Sequence, residues 1–158
     1  MFLLKSRKYF AIAVLILVAA GAGCSFVLPP RINLVYPEGN KNPGWTDSNL
    51  KSRFEAYWHY RFSGDIEKEF ALESPDFQEV VPFGRYRNYV QHAVQNKLIK
   101  MEILKISKES QYVVRVDCVA DIQVAGSQIP SKVSLADRWV LVKGQWYHVL
   151  HDLLIYSL

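Results

Sequence analysis

The sequence has few of the residues on which several classes of protein depend. Only two of its 158 residues are cysteine, which excludes a small domain held together by several disulfides. It has no glycine-rich loop for binding phosphate, and its histidines are not at the spacings of zinc or iron ligands. Hydrophobic residues make up 50% and charged residues 22% of the chain, which excludes intrinsic disorder. We therefore predict one globular domain with a short appendage, and neither a metal site nor a cofactor.

The positive charge of the chain is concentrated at its N-terminus. The formal net charge is +4, and three of the cations, Lys5, Arg7 and Lys8, lie within the first eight residues. Without these three, the charge of +4 falls to +1. The basic balance therefore gives no reason to expect nucleic acid as a partner.

Residues 1–23 have the organisation of a signal peptide, in which cations precede an apolar run and a group of small residues. The segment resembles a bacterial lipoprotein signal peptide, whose small residues precede the cysteine that becomes the lipid-modified N-terminus. Ala22, Gly23 and Cys24 match that motif. Gly21 departs from it, since the family usually has a large aliphatic residue there. The resemblance implies that fatty acid, including palmitate, anchors Cys24 to a membrane of the cell envelope.

Two other outcomes fit the same segment. Cleavage after the small residues 20–22 would release a soluble secreted protein, and the mostly apolar stretch 9–28 could remain as a single-helix anchor in the inner membrane. All three outcomes place the following residues outside the cytoplasm, facing the periplasm or the cell exterior. If Cys24 is acylated, Cys118 has no partner for an intramolecular disulfide.

The rest of the chain divides at about residue 46. Residues 24–45 are rich in proline, glycine and asparagine and lack apolar periodicity, which predicts an extended tether. The apolar spacing after Thr46 predicts a long helix ending at Gly64, a short helix after Asp65, and, beyond a loop, a third helix from about residue 83 to residue 96.

The apolar period then changes to that of strands. Four strands are predicted over residues 97–107, 111–125, 129–143 and 145–156, with Lys143-Gly144 as the last hairpin turn. Three helices followed by an antiparallel meander predict an α+β fold, in which the helices pack on one face of a curved, cone-like, four-stranded sheet.

This order of elements resembles the nuclear transport factor 2-like superfamily, in which a curved sheet wraps a long helix into a cone with an apolar pocket. The resemblance covers about residues 46–158 and is carried by aromatic residues of the first helix and by residues around the final hairpin. They are Phe54, Tyr57, Trp58, Asp137, Trp139, Gly144, Trp146 and Val149. The superfamily includes enzymes, ligand binders and interaction domains, so the fold does not by itself select a function.

The predicted register places polar groups on the apolar face of the sheet. If Lys143-Gly144 is the turn, Trp139 faces His148, and Asp137 is its diagonal neighbour. The candidate pocket then consists of Tyr57, Trp58, Asp137, Trp139, His148 and Asp152. Asp137 and His148 could be a catalytic acid/base pair. Alternatively they form a structural polar pair, which their core-like surroundings favour because buried carboxylates need partners.

Three functions remain open from the sequence. The expected one is a membrane-tethered envelope lipoprotein whose domain is a non-catalytic interaction or accessory module, because no specific catalytic motif is present. The others are a binder of a small apolar ligand in the cone and an isomerase- or dehydratase-like enzyme using Asp137 and His148. The expected partners are the membrane, an envelope protein or an apolar ligand. The other sheet face is unusually apolar for a solvent-exposed surface, with Val140, Val142 and Tyr147, and is consistent with a homodimer.

Overall fold

The structure, a computed structural model, describes residues 33–36, 44–91, 95–150, 152 and 155, which form four helices and five strands. Along the chain these are β1 (Leu34–Val35), α1 (Ser48–Ser63), α2 (Ile66–Phe70), α3 (Pro75–Val80), α4 (Phe83–Val90), β2 (Lys97–Lys108), β3 (Val113–Gln123), β4 (Ser131–Val142) and β5 (Gln145–Val149). The strands form one sheet in the order β1-β2-β3-β4-β5. β1 runs parallel to β2, and the other neighbours are antiparallel. The predicted α+β class is confirmed.

The details differ from the predicted four-stranded meander. The sheet is mixed, has a fifth strand, and is open with β1 and β5 at its edges. The fifth strand, β1, comes from within the predicted tether, where two residues are too few to show periodicity. β5 ends at Val149 instead of near residue 156. α4 ends at Val90, short of the predicted residue 96.

An additional helix, α3, lies where a loop was predicted. Pro75 can begin α3 because a proline at the first helical position loses no helical hydrogen bond. The hydroxyl of Ser74 caps the helix by accepting a hydrogen bond from the backbone N–H of Phe77. A serine-proline pair after a short helix is therefore a start signal here.

The predicted signal peptide, with Cys24 and the apolar stretch 9–28, lies outside the described residues. Among the helices that the structure does describe, none is both long and apolar enough to cross a membrane. The cleavage, lipidation and anchor predictions stay predictions.

Two caps set the position of α1. A carboxylate oxygen of Asp47 accepts hydrogen bonds from the backbone N–H groups of Asn49 and Leu50, at 2.8 and 3.2 Å. The other oxygen accepts one from Nε1 of Trp146, at 2.7 Å. Gly64 ends the helix with a φ of 78°, a left-handed conformation that favours glycine. The N-terminal cap thus also ties the start of α1 to β5.

The aromatic face of α1 packs on the inner face of the sheet. Phe54 and Tyr57 lie against Trp139, with ring centroids 6.1 and 5.9 Å apart. In β3 the buried residues alternate with less buried ones, and Trp139 pairs with Val114 on one side and with His148 on the other. The predicted register of the last hairpin, with Trp139 opposite His148, is therefore confirmed. We call the helix-covered side the inner face and the opposite side the outer face.

Replacing Asp47 tests the connection between α1 and β5. Asp47→Ala should lower the free energy of unfolding by about 1–3 kcal/mol, because it removes the helix cap and leaves the indole N–H of Trp146 without its acceptor. Asp47→Asn retains an oxygen for the cap and should cost less. Urea unfolding of both variants measures the difference, and equal losses would contradict the capping role.

Candidate functional site

The candidate site is built around a single β-bridge between Glu73 and His148. The backbone N–H of His148 donates to the carbonyl of Leu72 at 2.8 Å, and the N–H of Ser74 donates to the carbonyl of His148 at 2.9 Å. These two bonds attach the linker between α2 and α3 to the edge of β5 that does not pair with β4. The bridge sets the Glu73 carboxylate beside the His148 imidazole, and both side chains are buried.

His148 lies between two carboxylates. Its Nδ1 is 2.9 Å from Oε2 of Glu73, and its Nε2 is 3.7 Å from Oδ1 of Asp137. The ring of Tyr57 stacks on the imidazole, with centroids 3.9 Å apart. Burial alone would lower the pKa of His148, but Glu73 and Asp137 outweigh it and raise the pKa to about 10. The side chain is therefore an imidazolium at neutral pH.

Asp137 is held from its other side by α1. Its Oδ2 accepts a hydrogen bond from Nε1 of Trp58 at 2.6 Å. The predicted neighbours Asp137 and His148 are therefore brought together, and Trp58 joins them as a hydrogen-bond donor. Trp139, also a predicted site residue, is fully buried and meets the imidazole edge-on, with centroids 5.5 Å apart.

Two buried glutamates complete the arrangement. Oε1 of Glu73 lies 3.2 Å from the hydroxyl of Tyr57 and 3.0 Å from that of Tyr86. The Tyr86 hydroxyl is also 2.7 Å from Oε1 of Glu69, so one proton serves two carboxylates. Nη1 of Arg61 lies 2.7 Å from the same Glu69 oxygen. Burial raises the pKa of Glu69, and Arg61 opposes that rise.

We call this set the buried polar cluster. It consists of Tyr57, Trp58, Arg61, Glu69, Glu73, Tyr86, Asp137 and His148. Its ionisable groups are three carboxylates and two cations, and its neutral donors are two tyrosine hydroxyls and an indole N–H. Each carboxylate therefore has at least one charged and one neutral partner, as a buried carboxylate requires.

The two glutamates were not among the predicted site residues. α2 has only five residues, too few for a helical period to show which face is buried. A usable signal was present in Tyr57 and Tyr86, which lie on the predicted apolar stripes of two helices. Buried tyrosine hydroxyls need partners, and Glu69 and Glu73 lie on the short segment between those helices.

Asp152 and Cys118 are not members of the buried polar cluster. Asp152 lies beyond the end of β5 and accepts a hydrogen bond from the hydroxyl of Tyr89 in α4. Cys118 is buried among the inner-face residues of β3, and burial raises the pKa of its thiol. Within the described ranges, no group of three His, Cys, Asp or Glu side chains is placed to hold a metal ion.

The cluster contains a buried ion pair whose charged groups face one another. A general base must accept a proton from its substrate, whereas His148 already carries both ring protons at neutral pH and directs them at Glu73 and Asp137. Both carboxylates in turn use their oxygens for protein donors. The arrangement can stabilise charge inside the core and fix the positions of the elements that supply it.

No protein-family model and no curated protein matches this sequence. Several solved structures resemble it in fold, including the following three. A SEC-C motif containing protein from Rhodopseudomonas palustris has a TM-score of 0.52 at 10% identity, covering 66% of this chain and 77% of that one. A second SEC-C motif containing protein, from Psychrobacter arcticus, has a TM-score of 0.52 at 12% identity, covering 65% of this chain and 59% of that one. A protein described as a putative NTF2-like transpeptidase from Campylobacter jejuni has a TM-score of 0.50 at 10% identity, covering 66% of this chain and 100% of that one.

At these identities the likeness concerns the fold alone. It supports a nuclear transport factor 2-like fold for the described residues, in agreement with the resemblance seen in the element order.

The stability of the protein should fall as the pH rises from about 6.5 to 10. The pKa of His148 is about 10 in the folded state and about 6.5 in an unfolded chain. The stabilisation is therefore complete below pH 6.5 and is lost as the pH rises through 10. The loss should be a few kcal/mol, since one pKa unit is about 1.4 kcal/mol.

Urea unfolding across this pH range, compared between variants, isolates the contribution of His148. His148→Gln should flatten the decline that the wild type shows, because the titrating group is gone. His59→Gln, which changes a histidine of α1 outside the buried polar cluster, should retain it. The same pH dependence in wild type and His148→Gln would contradict the assignment.

Proposed function

We propose that this protein is a lipid-anchored bacterial envelope protein whose nuclear transport factor 2-like domain is a non-catalytic interaction or accessory module. One observation carries the non-catalytic part. The two residues that the sequence offers for acid/base chemistry, Asp137 and His148, are bound to each other, to Glu73 and to Trp58 inside the core.

An enzyme using this pair would need His148 neutral in one step and accessible to its substrate. Only 4% of the His148 surface is exposed, and the two neighbouring carboxylates favour its charged form. Changing the protonation of His148 would therefore disturb the fold itself. That coupling suits a structural group better than a catalytic one.

The anchor is supported by the sequence. Ala22 and Gly23 precede Cys24 as in lipoprotein signal peptides, and the spacer that follows suits a domain held near a membrane. The other cysteine, Cys118, is buried in the sheet and is therefore a poor site for acylation. The domain would face the periplasm or the cell exterior, and a single-helix anchor in the inner membrane is the competing outcome.

Metabolic labelling with a clickable fatty acid tests the anchor. Cys24→Ala should abolish the label and leave an unprocessed precursor, because the acylated sulfur and the processing site are lost. Cys118→Ala is the matched control and should be labelled like the wild type. Equal labelling of Cys24→Ala and the wild type would overturn the lipoprotein proposal, and an unlabelled, unprocessed wild type would favour the single-helix anchor.

Conservative changes at Asp137 and His148 test the non-catalytic role. Asp137→Asn and His148→Gln should each lower the free energy of unfolding by about 1–3 kcal/mol, because each leaves a buried charged partner incompletely paired. The double variant should cost less than the sum of the two, since both changes break one shared interaction. Thermal and urea unfolding measure all three variants. Unchanged stability of both single variants, with loss of a turnover activity or of a co-purifying ligand, would overturn the proposal.

A further inference from the structure

β2 presents two aliphatic side chains to solvent at irregular points of the sheet. The pairing with β3 shifts between Leu98 and Lys100 and again between Ile103 and Lys105. Each shift is a β-bulge, so that two residues of β2 lie opposite one residue of β3. The extra residues are Ile99 and Leu104, which are 44% and 47% exposed.

The bulges place these aliphatic residues next to lysines on the outer face. Lys100 and Lys105 follow the two bulge residues and pair with Asp121 and Asp117 of β3. Lys97 precedes the first bulge and pairs with Gln123. Exposed aliphatic side chains between flexible cations are typical of surfaces that lie at a membrane–water interface, where the cations meet phosphates and the aliphatic groups enter the headgroup region.

The charged residues of the chain are also distributed unevenly along the sequence. Residues 83–108 contain six cations and one carboxylate, Glu102. Residues 65–79 contain one cation and six carboxylates, of which Glu69 and Glu73 are buried and the other four remain for the surface. Glu102 forms an ion pair with Lys100 at 3.4 Å, and the described residues show no ion pair for Lys97 or Lys105. On the outer face, Lys97, Lys100 and Lys105 of β2 and Arg115 of β3 lie beside Glu102, Asp117 and Asp121. This part of the surface therefore has a small excess of positive charge, which is available to anionic headgroups mainly through Lys97 and Lys105.

The start of the domain lies at the same edge. β1 pairs with β2 at Met101 and Glu102, and the carbonyl of Asn33 accepts a hydrogen bond from the N–H of Met101. Because β1 is parallel to β2, the chain enters from the side of Ile99. Nine residue steps separate Asn33 from Cys24, a distance of at most about 32 Å. β2 is therefore the strand next to the point where the anchored segment joins the domain.

Resting on the lipid anchor of the proposed function, we propose that the outer side of β2 lies on a membrane surface containing anionic phospholipid. Ile99 and Leu104 enter the headgroup region, and Lys97, Lys100 and Lys105 lie against phosphate groups. The short spacer supplies a high local concentration of membrane, so individually weak contacts suffice to orient the domain. The acidic segment 65–79 then faces away, towards the aqueous compartment.

Spin labelling of the full-length acylated protein tests this orientation. A nitroxide is attached to Leu104→Cys in a Cys118→Ala background. Val80→Cys is the matched control, because Val80 is 64% exposed and ends α3, directly after the acidic segment 65–79. The protein is reconstituted in vesicles of phosphatidylcholine alone or with phosphatidylglycerol. On the anionic vesicles, the Leu104 nitroxide should gain accessibility to oxygen and lose accessibility to a water-soluble nickel complex. The Val80 nitroxide should show neither change.

Removing the lysines tests the charge contribution. Lys97→Gln and Lys105→Gln should each lower the ratio of membrane-contacting to non-contacting protein by about fivefold. Identical behaviour of the Leu104 and Val80 nitroxides on acylated protein would overturn the proposal. Dipolar broadening between Leu104 nitroxides would also overturn it, because a second copy would then cover β2.

Mass spectrometry of the same preparation separates the anchor from the surface. If Cys24 carries an acyl chain but the Leu104 nitroxide stays exposed to water, the membrane contact of β2 is rejected and the lipid anchor stands. A missing acyl chain rejects the anchor, and the Leu104 measurement on anionic vesicles still decides whether β2 meets lipid.

Discussion

The ion pair between Glu73 and His148 is the interaction on which the other parts of the domain depend. It joins residues 75 positions apart in the chain and coincides with the backbone bridge that attaches the α2–α3 linker to β5. Tyr57 brings α1 to the same imidazole by stacking, and Asp137 brings β4. One buried cation, His148, therefore connects the α2–α3 linker, α1, β4 and β5. Loss of either charge would leave the other uncompensated in the core, which is costly.

Neutral donors allow three carboxylates to coexist with two cations in this interior. Arg61 and His148 each neutralise part of the negative charge, while Tyr57, Tyr86 and Trp58 supply hydrogen bonds without adding charge. The tyrosines keep their protons, since burial and the neighbouring carboxylates raise the pKa of both. The cluster is thus one electrostatic unit, in which the charge of each ionised group acts on its neighbours. Such coupling fixes the relative positions of α1, the α2–α3 linker and the sheet.

The sequence predicted the features that repeat locally and missed those that depend on single distant contacts. The stripe of α1 and the hairpin register were predictable, because Lys143 and Gly144, with φ of 50° and 80°, form the expected turn and set Trp139 opposite His148. Glu73 gave no local signal, since its partner is supplied by a strand that follows much later. β1 and the bulges of β2 were equally invisible, because neither a two-residue strand nor one inserted residue alters an apolar period.

The fold distributes the charges of a nearly neutral domain unevenly between its core and its surface. Glu69 and Glu73 point into the core from the acidic segment 65–79, where Arg61 and His148 neutralise them. Their charges therefore contribute little to the surface. The bulges of β2 act in the opposite sense, because each inserted residue keeps the next lysine on the outer face and exposes an aliphatic group beside it. A count of net charge hides both effects. Burial of the glutamates and the bulges of β2 together set the charge and the apolar groups that each side of the domain presents to solvent.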